Sequence, residues 1–180
     1  MDEVIIRPAA VGDVAAMGAV QRAAGEAFRT VGLAWAADNP VPSDERYAGY
    51  VRGGRAWVAD DGTPAAFVLV DVVDGAAHVE QVSVRPDRAR RGLGRRLIDT
   101  VDAWAAGRGM PALTLCTFRD VPWNAPYYAR LGFREITEPG PELAGLLRAE
   151  VEFGLDPATR VAMRRPTGTG TPGAAGVRAR

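Results

Sequence analysis

The residues best suited to chemistry lie in the middle of the chain, where a basic segment with two glycines separates a strand-like run from a helix-like run. The segment reads RRGLGR at positions 90–95 and follows VSV at positions 82–84. A strand that turns into a helix leaves the first backbone N–H groups of the helix unpaired, at the positive end of its dipole. Glycine lets an anion approach those groups, and arginine adds planar paired donors. The segment therefore predicts a site for a polyphosphate.

Two common phosphate motifs do not fit this segment. A P-loop ends in Gly-Lys followed by Ser or Thr, and a dinucleotide fingerprint needs a third small residue at the position that Leu97 holds. Taken alone, Gly92 and Gly94 are equally consistent with a plain turn at the entry to a helix. The neighbouring elements must therefore decide between the two interpretations.

The strand that leads into the segment carries two residues able to accept a proton. His78, the only histidine, and Glu80 are two positions apart, so we expect both side chains on one face of the strand, together with Val82. Either side chain can act as a general base. The alternatives are a packing histidine and a glutamate paired with an arginine. Cys116 has no base beside it, and we expect it to pack.

Hydrophobic periodicity and turn residues predict the elements that position these side chains. Strands are predicted over 4–7, 55–60, 65–73, 77–84, 113–118, 133–136 and 160–164. Helices are predicted over 11–28, 43–52, 92–106, 123–131 and 143–153, with an irregular stretch over 30–42. The order of elements is of the α/β (α+β) class, with an antiparallel meander in the middle of the chain.

Length and composition limit the remaining possibilities. With 180 residues and 47% hydrophobic content, we expect one domain over 1–165 and a flexible tail over 166–180. Twenty-two basic residues balance twenty-two acidic ones, so no overall field favours nucleic acid or an anionic membrane. No apolar run reaches membrane-spanning length, and the single cysteine has no companions at metal-ligand spacing. One cysteine fits a reducing compartment, so a cytoplasmic location is the expectation.

Two motifs together resemble one known family. VSV at 82–84, Pro86 and RRGLG at 90–94 are similar to the coenzyme-A motif of the GNAT N-acetyltransferases, and YARLGF at 128–133 is similar to that family's Tyr-x-x-Leu-Gly-Phe signature. The strong part of the match spans 77–133. The resemblance implies a GNAT acyl-CoA N-acyltransferase fold, with a mixed, mostly antiparallel sheet of six or seven strands flanked by helices. It also implies acetyl-CoA (coenzyme A) as cosubstrate, although Ala89 replaces the motif's usual Arg or Gln.

The same resemblance assigns roles to individual residues. Tyr128 would be the acid that protonates the departing thiolate, while Tyr127 points about 100° away on the same helix. His78 and Glu80 would remove the proton of the amine, and the backbone of Val82 would polarise the thioester carbonyl. The implied cofactor-binding residues are Val82, Ser83, Val84, Ala89, Arg90, Arg91, Gly92, Leu93, Gly94, Arg95 and Asn124. Asn124 is equally suited to cap the short helix that follows it.

In the architecture that the resemblance implies, the acceptor enters between the loop that joins the first two helices and the strands near the thiol. That geometry nominates Phe28, Trp35, Thr117, Arg119 and Trp123 as substrate-binding residues, and Glu26 or Asp38 would attract the positive amine. Phe28 equally fits the apolar stripe of the first helix.

The expected reaction is acetyl transfer to a primary amine of a small molecule, by direct attack in a ternary complex. A protein N-terminus or lysine is a less favoured acceptor. The alternatives are a noncatalytic acyl-CoA-binding or sensing module and an interaction protein without a cofactor. Edge strands and the 160–164 segment favour a homodimer.

Overall fold

A seven-stranded mixed sheet forms the centre of the molecule in the computed structural model, which describes residues 4–168. The strands are β1 (Ile5–Pro8), β2 (Ala56–Asp60), β3 (Pro64–Val73), β4 (Ala76–Val84), β5 (Ala112–Phe118), β6 (Arg134–Glu135) and β7 (Arg160–Pro166). Their order in the sheet is β1-β2-β3-β4-β5-β7-β6. The predicted mixed, mostly antiparallel sheet is confirmed, because only β4 and β5 pair in parallel among these strands.

Six α-helices accompany the sheet within the described residues. They are α1 (Val14–Gly25), α2 (Ala34–Asp38), α3 (Asp44–Arg52), α4 (Leu93–Ala106), α5 (Ala125–Arg130) and α6 (Pro141–Glu152). The Ser43 hydroxyl accepts a hydrogen bond from the Arg46 N–H and so caps α3, as serine at this position favours. None of the helices in residues 4–168 has both the length and the apolar character needed to cross a membrane.

Each face of the sheet buries its own core. Helix α4 packs on one face, where Leu97, Ile98 and Val101 are fully buried against β3, β4 and β5. On the other face α1 and α3 cover β2 and β3, and α6 covers part of β5 and β7. We call these the α4 face and the α3 face. The two faces bring different side chains to the middle of the sheet, because neighbouring strand residues alternate between them.

Four sequence-based expectations need correction. The helix predicted over 11–28 is three pieces, since 3-10 turns at 11–13 and 26–31 flank α1, and Trp35 lies on α2 rather than in an irregular stretch. The segment 160–164 is not an edge, because β7 lies between β5 and β6 and therefore does not support a dimer through an open strand. Residues 166–168 belong to the fold, with the Thr167 hydroxyl donating to the Met110 carbonyl at 2.8 Å. The rest of the predicted tail, 169–180, lies outside the described residues.

Candidate active site

The sheet opens between β4 and β5. The two strands pair at Ala77 with Leu113 and at His78 with Thr114, and no further pairing between them occurs in residues 4–168. Beyond that point β4 continues to Val84 and β5 to Phe118. Each strand therefore presents an unpaired backbone edge to a gap, and an extended ligand can bond to such an edge as an added strand would.

Glu80 is the extra residue of a β-bulge in β4. Leu69 of β3 pairs with Gln81 and Val70 pairs with Val79, so Glu80 has no partner on β3. The bulge shifts the alternation of side chains, and Val79 and Val82 both pack on the α4 face. His78 instead lies opposite Asp71, which accepts a hydrogen bond from Tyr50 of α3. The expectation that His78 and Val82 share a face is therefore wrong.

The two candidate bases differ in their access to a ligand. His78 is 2% exposed, and its Nδ1 lies 3.0 Å from the Thr114 hydroxyl. Burial lowers the pKa of His78, which keeps the ring neutral. The Glu80 side chain is 32% exposed, and its Oε1 lies 3.0 Å from a guanidinium nitrogen of Arg46. Burial raises the pKa of Glu80, and Arg46 opposes that rise.

The backbone of β4 directs alternate residues into the gap. The Arg85 N–H donates to the Ala65 carbonyl of β3 at 2.9 Å, so Ser83, two residues earlier, also directs its backbone groups to β3. Val82 and Val84 then direct their N–H and C=O groups toward the gap. The Ser83 hydroxyl accepts from the Gln81 side chain at 2.9 Å and is buried. Val82 and Val84 are thus placed for backbone contacts with a ligand, whereas Ser83 is turned away.

The segment before α4 is a turn with two residues at positive φ. Arg90 and Gly92 have φ of 61° and 75°, and no side chain caps the helix at Gly92. The first helical bond here runs from the Arg96 N–H to the Gly92 carbonyl at 3.0 Å. Successive N–H groups in such a turn form a concave anion site. The Ala89 N–H is used elsewhere, by the Pro86 carbonyl at 3.2 Å, so the predicted cradle begins at residue 90 rather than 89.

The arginines around this turn have different surroundings. Arg88 pairs with Asp61 at 2.6 Å and with Asp87 at 2.7 Å, so its charge is already matched. Arg96 donates to the Val4 carbonyl at 2.8 Å. Arg90 and Arg91 form no ion pair with any residue in the described part of the chain. Their two guanidinium groups are the ones suited to bind phosphate.

Helix α5 brings Tyr128 and Asn124 to the α4 face of the gap. Tyr128 packs on Phe133, with ring centroids 5.7 Å apart, and burial raises its pKa, so the phenol stays protonated at neutral pH. Asn124 is the N-cap residue of α5, as that alternative predicted, but its side chain makes no capping hydrogen bond. Its amide nitrogen donates to the Thr117 hydroxyl at 2.7 Å, and its Oδ1 is buried without a partner in residues 4–168. A buried acceptor of this kind needs a donor, and an amide N–H of the pantetheine arm has that chemistry.

The sequence of this region also matches a known family model. The match is to the Acetyltransferase (GNAT) family and covers residues 21–133, more than half of the chain. The chain belongs to the GNAT acetyltransferase family. It is therefore an acetyltransferase with acetyl-CoA as cosubstrate, and the open β4 edge, the turn at 90–95 and the Asn124 oxygen fit that coenzyme.

Solved structures share this fold at low sequence identity. PaiA N-acetyltransferase from Thermoplasma acidophilum, solved with coenzyme A, is 14% identical over 91% of this chain and 99% of its own, with a TM-score of 0.67. The ribosomal-protein-S18-alanine N-acetyltransferase of Escherichia coli is 22% identical over 96% and 98%, with a TM-score of 0.62. N-acetylglutamate synthase from Neisseria gonorrhoeae, solved with coenzyme A and N-acetyl-glutamate, is 18% identical over 93% of this chain and 36% of its own, with a TM-score of 0.69. These likenesses show the GNAT fold and do not indicate an acceptor.

Three of the five predicted substrate-binding residues meet in one aromatic cluster. The cluster consists of Phe28, Trp35, Phe118 and Trp123. Phe28 lies 5.6 Å from Phe118 and 5.8 Å from Trp123, and Trp35 lies 6.1 Å from Phe118, measured between ring centroids. Trp35 and Trp123 are 46% and 38% exposed, so the cluster is open to a ligand.

The other predicted acceptor contacts are already occupied. Thr117 is 3% exposed and bonded to Asn124, because β5 directs residue 117 to the opposite face from residue 118. The prediction that Thr117 contacts the acceptor is therefore wrong. Arg119 makes two 3.0 Å bonds to Glu135. Glu26 and Asp38, the predicted attractors of the amine, both pair with Arg29.

The sequence allowed an arginine partner for Glu80 but did not identify the polar residues that surround it. Arg46 reaches it from α3, and Tyr50 and Arg55 both bond Asp71 on the strand beside it. Nearby, Arg160 lies 4.5 Å over the Phe118 ring and makes a paired bond to Glu150. None of these residues carries a local motif. Only the charged positions within otherwise apolar strands, such as Asp71, were a usable signal.

Proposed function

We propose that this GNAT acetyltransferase acts on the primary amine of a small molecule, by direct attack in a ternary complex. One observation carries the proposal: the gap between β4 and β5 is flanked by different elements on the two faces of the sheet. The turn at 90–95 and α5 belong to the α4 face, whereas Glu80 and the aromatic cluster belong to the α3 face. Donor and acceptor could therefore meet in the gap from opposite sides.

The residues provide a route for both protons. Glu80 would take one proton from the alkylammonium, so that the neutral nitrogen can bond to the thioester carbon. As the carbon–sulfur bond breaks, Tyr128 would donate its hydroxyl proton to the departing thiolate and regain one from the nitrogen, which must lose its second proton to form the amide. The Val82 N–H, directed into the gap, would bond the carbonyl oxygen as its charge grows. We assign His78 a supporting role, since it is buried against Thr114 and a ligand cannot reach it directly.

The environment of Cys116 supports direct attack rather than an acetyl-enzyme. Cys116 is half-buried and packs with Ala162 and Leu147 below α6, as expected from its sequence context. Burial raises its pKa to about 12, so the thiol stays protonated at neutral pH. A protonated thiol is a poor nucleophile.

The aromatic cluster supports an acceptor with an apolar body. Its rings offer faces to an alkyl or aromatic group, and a cation passing over them gains a favourable interaction before it is deprotonated. Three acidic side chains on this side of the sheet, Glu26, Asp38 and Glu150, are already paired with arginines.

A panel of amines incubated with acetyl-CoA tests the proposal. Release of free thiol should be fastest with primary amines that carry an aromatic or branched alkyl group, compared with lysine peptides and N-terminal peptides. Initial rates at varied concentrations of both substrates should give intersecting lines, and parallel lines would contradict direct attack. Coenzyme binding without thiol release for any amine would favour the noncatalytic module instead.

We also propose a cytoplasmic location and a homodimer as working expectations. The first rests on the single cysteine. The homodimer rests on the edge strands β1 and β6, because β7 lies inside the sheet. Light scattering coupled to size exclusion would measure the mass in solution.

A further inference from the structure

The two adjacent tyrosines of α5 are turned to different neighbours. Tyr128 packs on Phe133 and the buried core of the α4 face. Tyr127 reaches the start of α4 instead, and its hydroxyl lies 3.0 Å from the position that a Cβ on Gly94 would occupy. A polar group has thus been brought to the open N-terminus of the helix. The family resemblance gives a task to Tyr128 and none to Tyr127.

The surroundings of the Tyr127 hydroxyl suit an anion. It faces the backbone N–H of Arg95, in the first turn of α4, and accepts a hydrogen bond from it. A phenol oxygen that accepts from an amide still has its own proton to donate. Burial raises the pKa of Tyr127, which keeps that proton in place at neutral pH. A phosphate oxygen held by the amides of residues 90–95 is a strong acceptor for it.

We propose that the Tyr127 hydroxyl is a direct ligand of the coenzyme's pyrophosphate. It would add a side-chain donor to the backbone amides at the start of α4. Gly94 is then glycine because a side chain there would displace the phenol. The proposal rests on the pyrophosphate lying at residues 90–95, and not on the identity of the acceptor or of the base.

A packing role for Tyr127 makes a different prediction. The ring also lies 5.5 Å from Tyr128 and 5.8 Å from the Arg130 guanidinium, measured from its centroid. Those contacts need the ring and not the hydroxyl. Replacing Tyr127 with Phe therefore separates the two roles, because it removes only the oxygen.

The test measures two quantities for Tyr127→Phe and for the parent. One is the Kd of coenzyme A, by calorimetry. The other is the KM of S-acetylpantetheine, an acyl donor that has no pyrophosphate. We expect coenzyme A to bind roughly tenfold more weakly, the usual effect of losing one bond to a charged group. The KM of S-acetylpantetheine should not change. Tyr47→Phe, which loses a phenol bonded to Gln21 on the α3 face, is the matched control and should keep the Kd of coenzyme A. Two results would overturn the proposal: a Kd of coenzyme A within twofold of the parent, or a rise in the KM of S-acetylpantetheine as large as the rise in the Kd of coenzyme A.

A double-mutant cycle with Gly94→Ala provides a second readout. Alanine at 94 meets the Tyr127 hydroxyl at 3.0 Å, so Gly94→Ala alone should also weaken coenzyme A. In the Tyr127→Phe background that oxygen is gone, and Gly94→Ala should have little further effect. Additive losses would mean that the two residues act separately and would contradict the proposal. Melting temperatures without ligand show whether each variant is folded.

Discussion

The two sides of the gap are built in different ways. On the coenzyme side, one continuous stretch from Val82 to Arg95 supplies backbone groups, and its shape depends on a turn with two residues at positive φ. On the acceptor side, side chains come from α2, α3, β4, β5 and β7, and their charges are matched in ion pairs such as Arg46 with Glu80. The first side requires few particular side chains. The second depends on them entirely, which allows the acceptor to change while the coenzyme site stays the same.

The largest effect should come from the acceptor side, at Glu80. Glu80→Gln keeps the shape of the side chain but cannot take a proton, so kcat/KM for the amine should fall by about 10²–10³. The affinity for coenzyme A should stay unchanged, because the α4 face is not touched. Steady-state rates and calorimetry measure both quantities.

Glu138→Gln, at an exposed position, is the matched control for the loss of a carboxylate. If Glu80→Gln stayed within threefold of the parent, the base would lie elsewhere. His78→Asn would then become the variant to measure.

On the coenzyme side, a change at Gly92 should affect the binding of acetyl-CoA and not the chemical step. Its φ of 75° disfavours any side chain, and Gly92→Val would force the turn to rearrange. We expect the KM of acetyl-CoA to rise by roughly tenfold or more, while kcat at saturating acetyl-CoA changes little. Gly145→Ala, inside α6, controls for the removal of a glycine. A fall in kcat with an unchanged KM would show that the turn serves the chemistry rather than binding.

A smaller effect should appear in the pH profile of an Arg46 variant. Burial raises the pKa of Glu80, Asp71 and Glu150 raise it further, and Arg46 lowers it. Activity through Glu80 needs the ionised carboxylate, so kcat/KM falls as the pH drops through that pKa. Without the Arg46 charge the pKa rises, and the acid limb of the profile should move to higher pH.

Arg46→Ala should show this move, and Arg46→Lys should largely restore the parent profile. Rates are measured from pH 5 to 9. Enzyme held at each pH is then assayed again at neutral pH, which checks that it has stayed stable. An acid limb that stays in place in Arg46→Ala would separate Glu80 from the titration that controls activity.

The coenzyme side could be predicted from the sequence better than the acceptor side, because it is built from one local stretch of chain. The meander, the turn at 90–95 and α5 follow from local signals, namely tight-turn pairs such as Asp74-Gly75, glycines and apolar periodicity. The bulge at Glu80 has no such signal, because the run from Ala77 to Val84 reads as uninterrupted strand. One inserted residue reversed the expected side of Val82. An arginine partner for Glu80 was foreseen, but not that it is Arg46, since ion pairs between distant segments form only after the sheet is assembled.

The smallest effect should come from Arg119, which the sequence placed at the acceptor. Its guanidinium is 42% exposed and is already bonded to Glu135, which is 46% exposed. Exposed pairs of this kind contribute little to stability. Arg119→Ala should therefore leave the KM of the amine within twofold and the melting temperature nearly unchanged, whereas Trp123→Ala should raise the KM of the same amine several-fold. An Arg119 variant as impaired as the Trp123 variant would mean that the acceptor surface continues past Phe118 to the end of β5, and that the Glu135 pair opens when the amine binds.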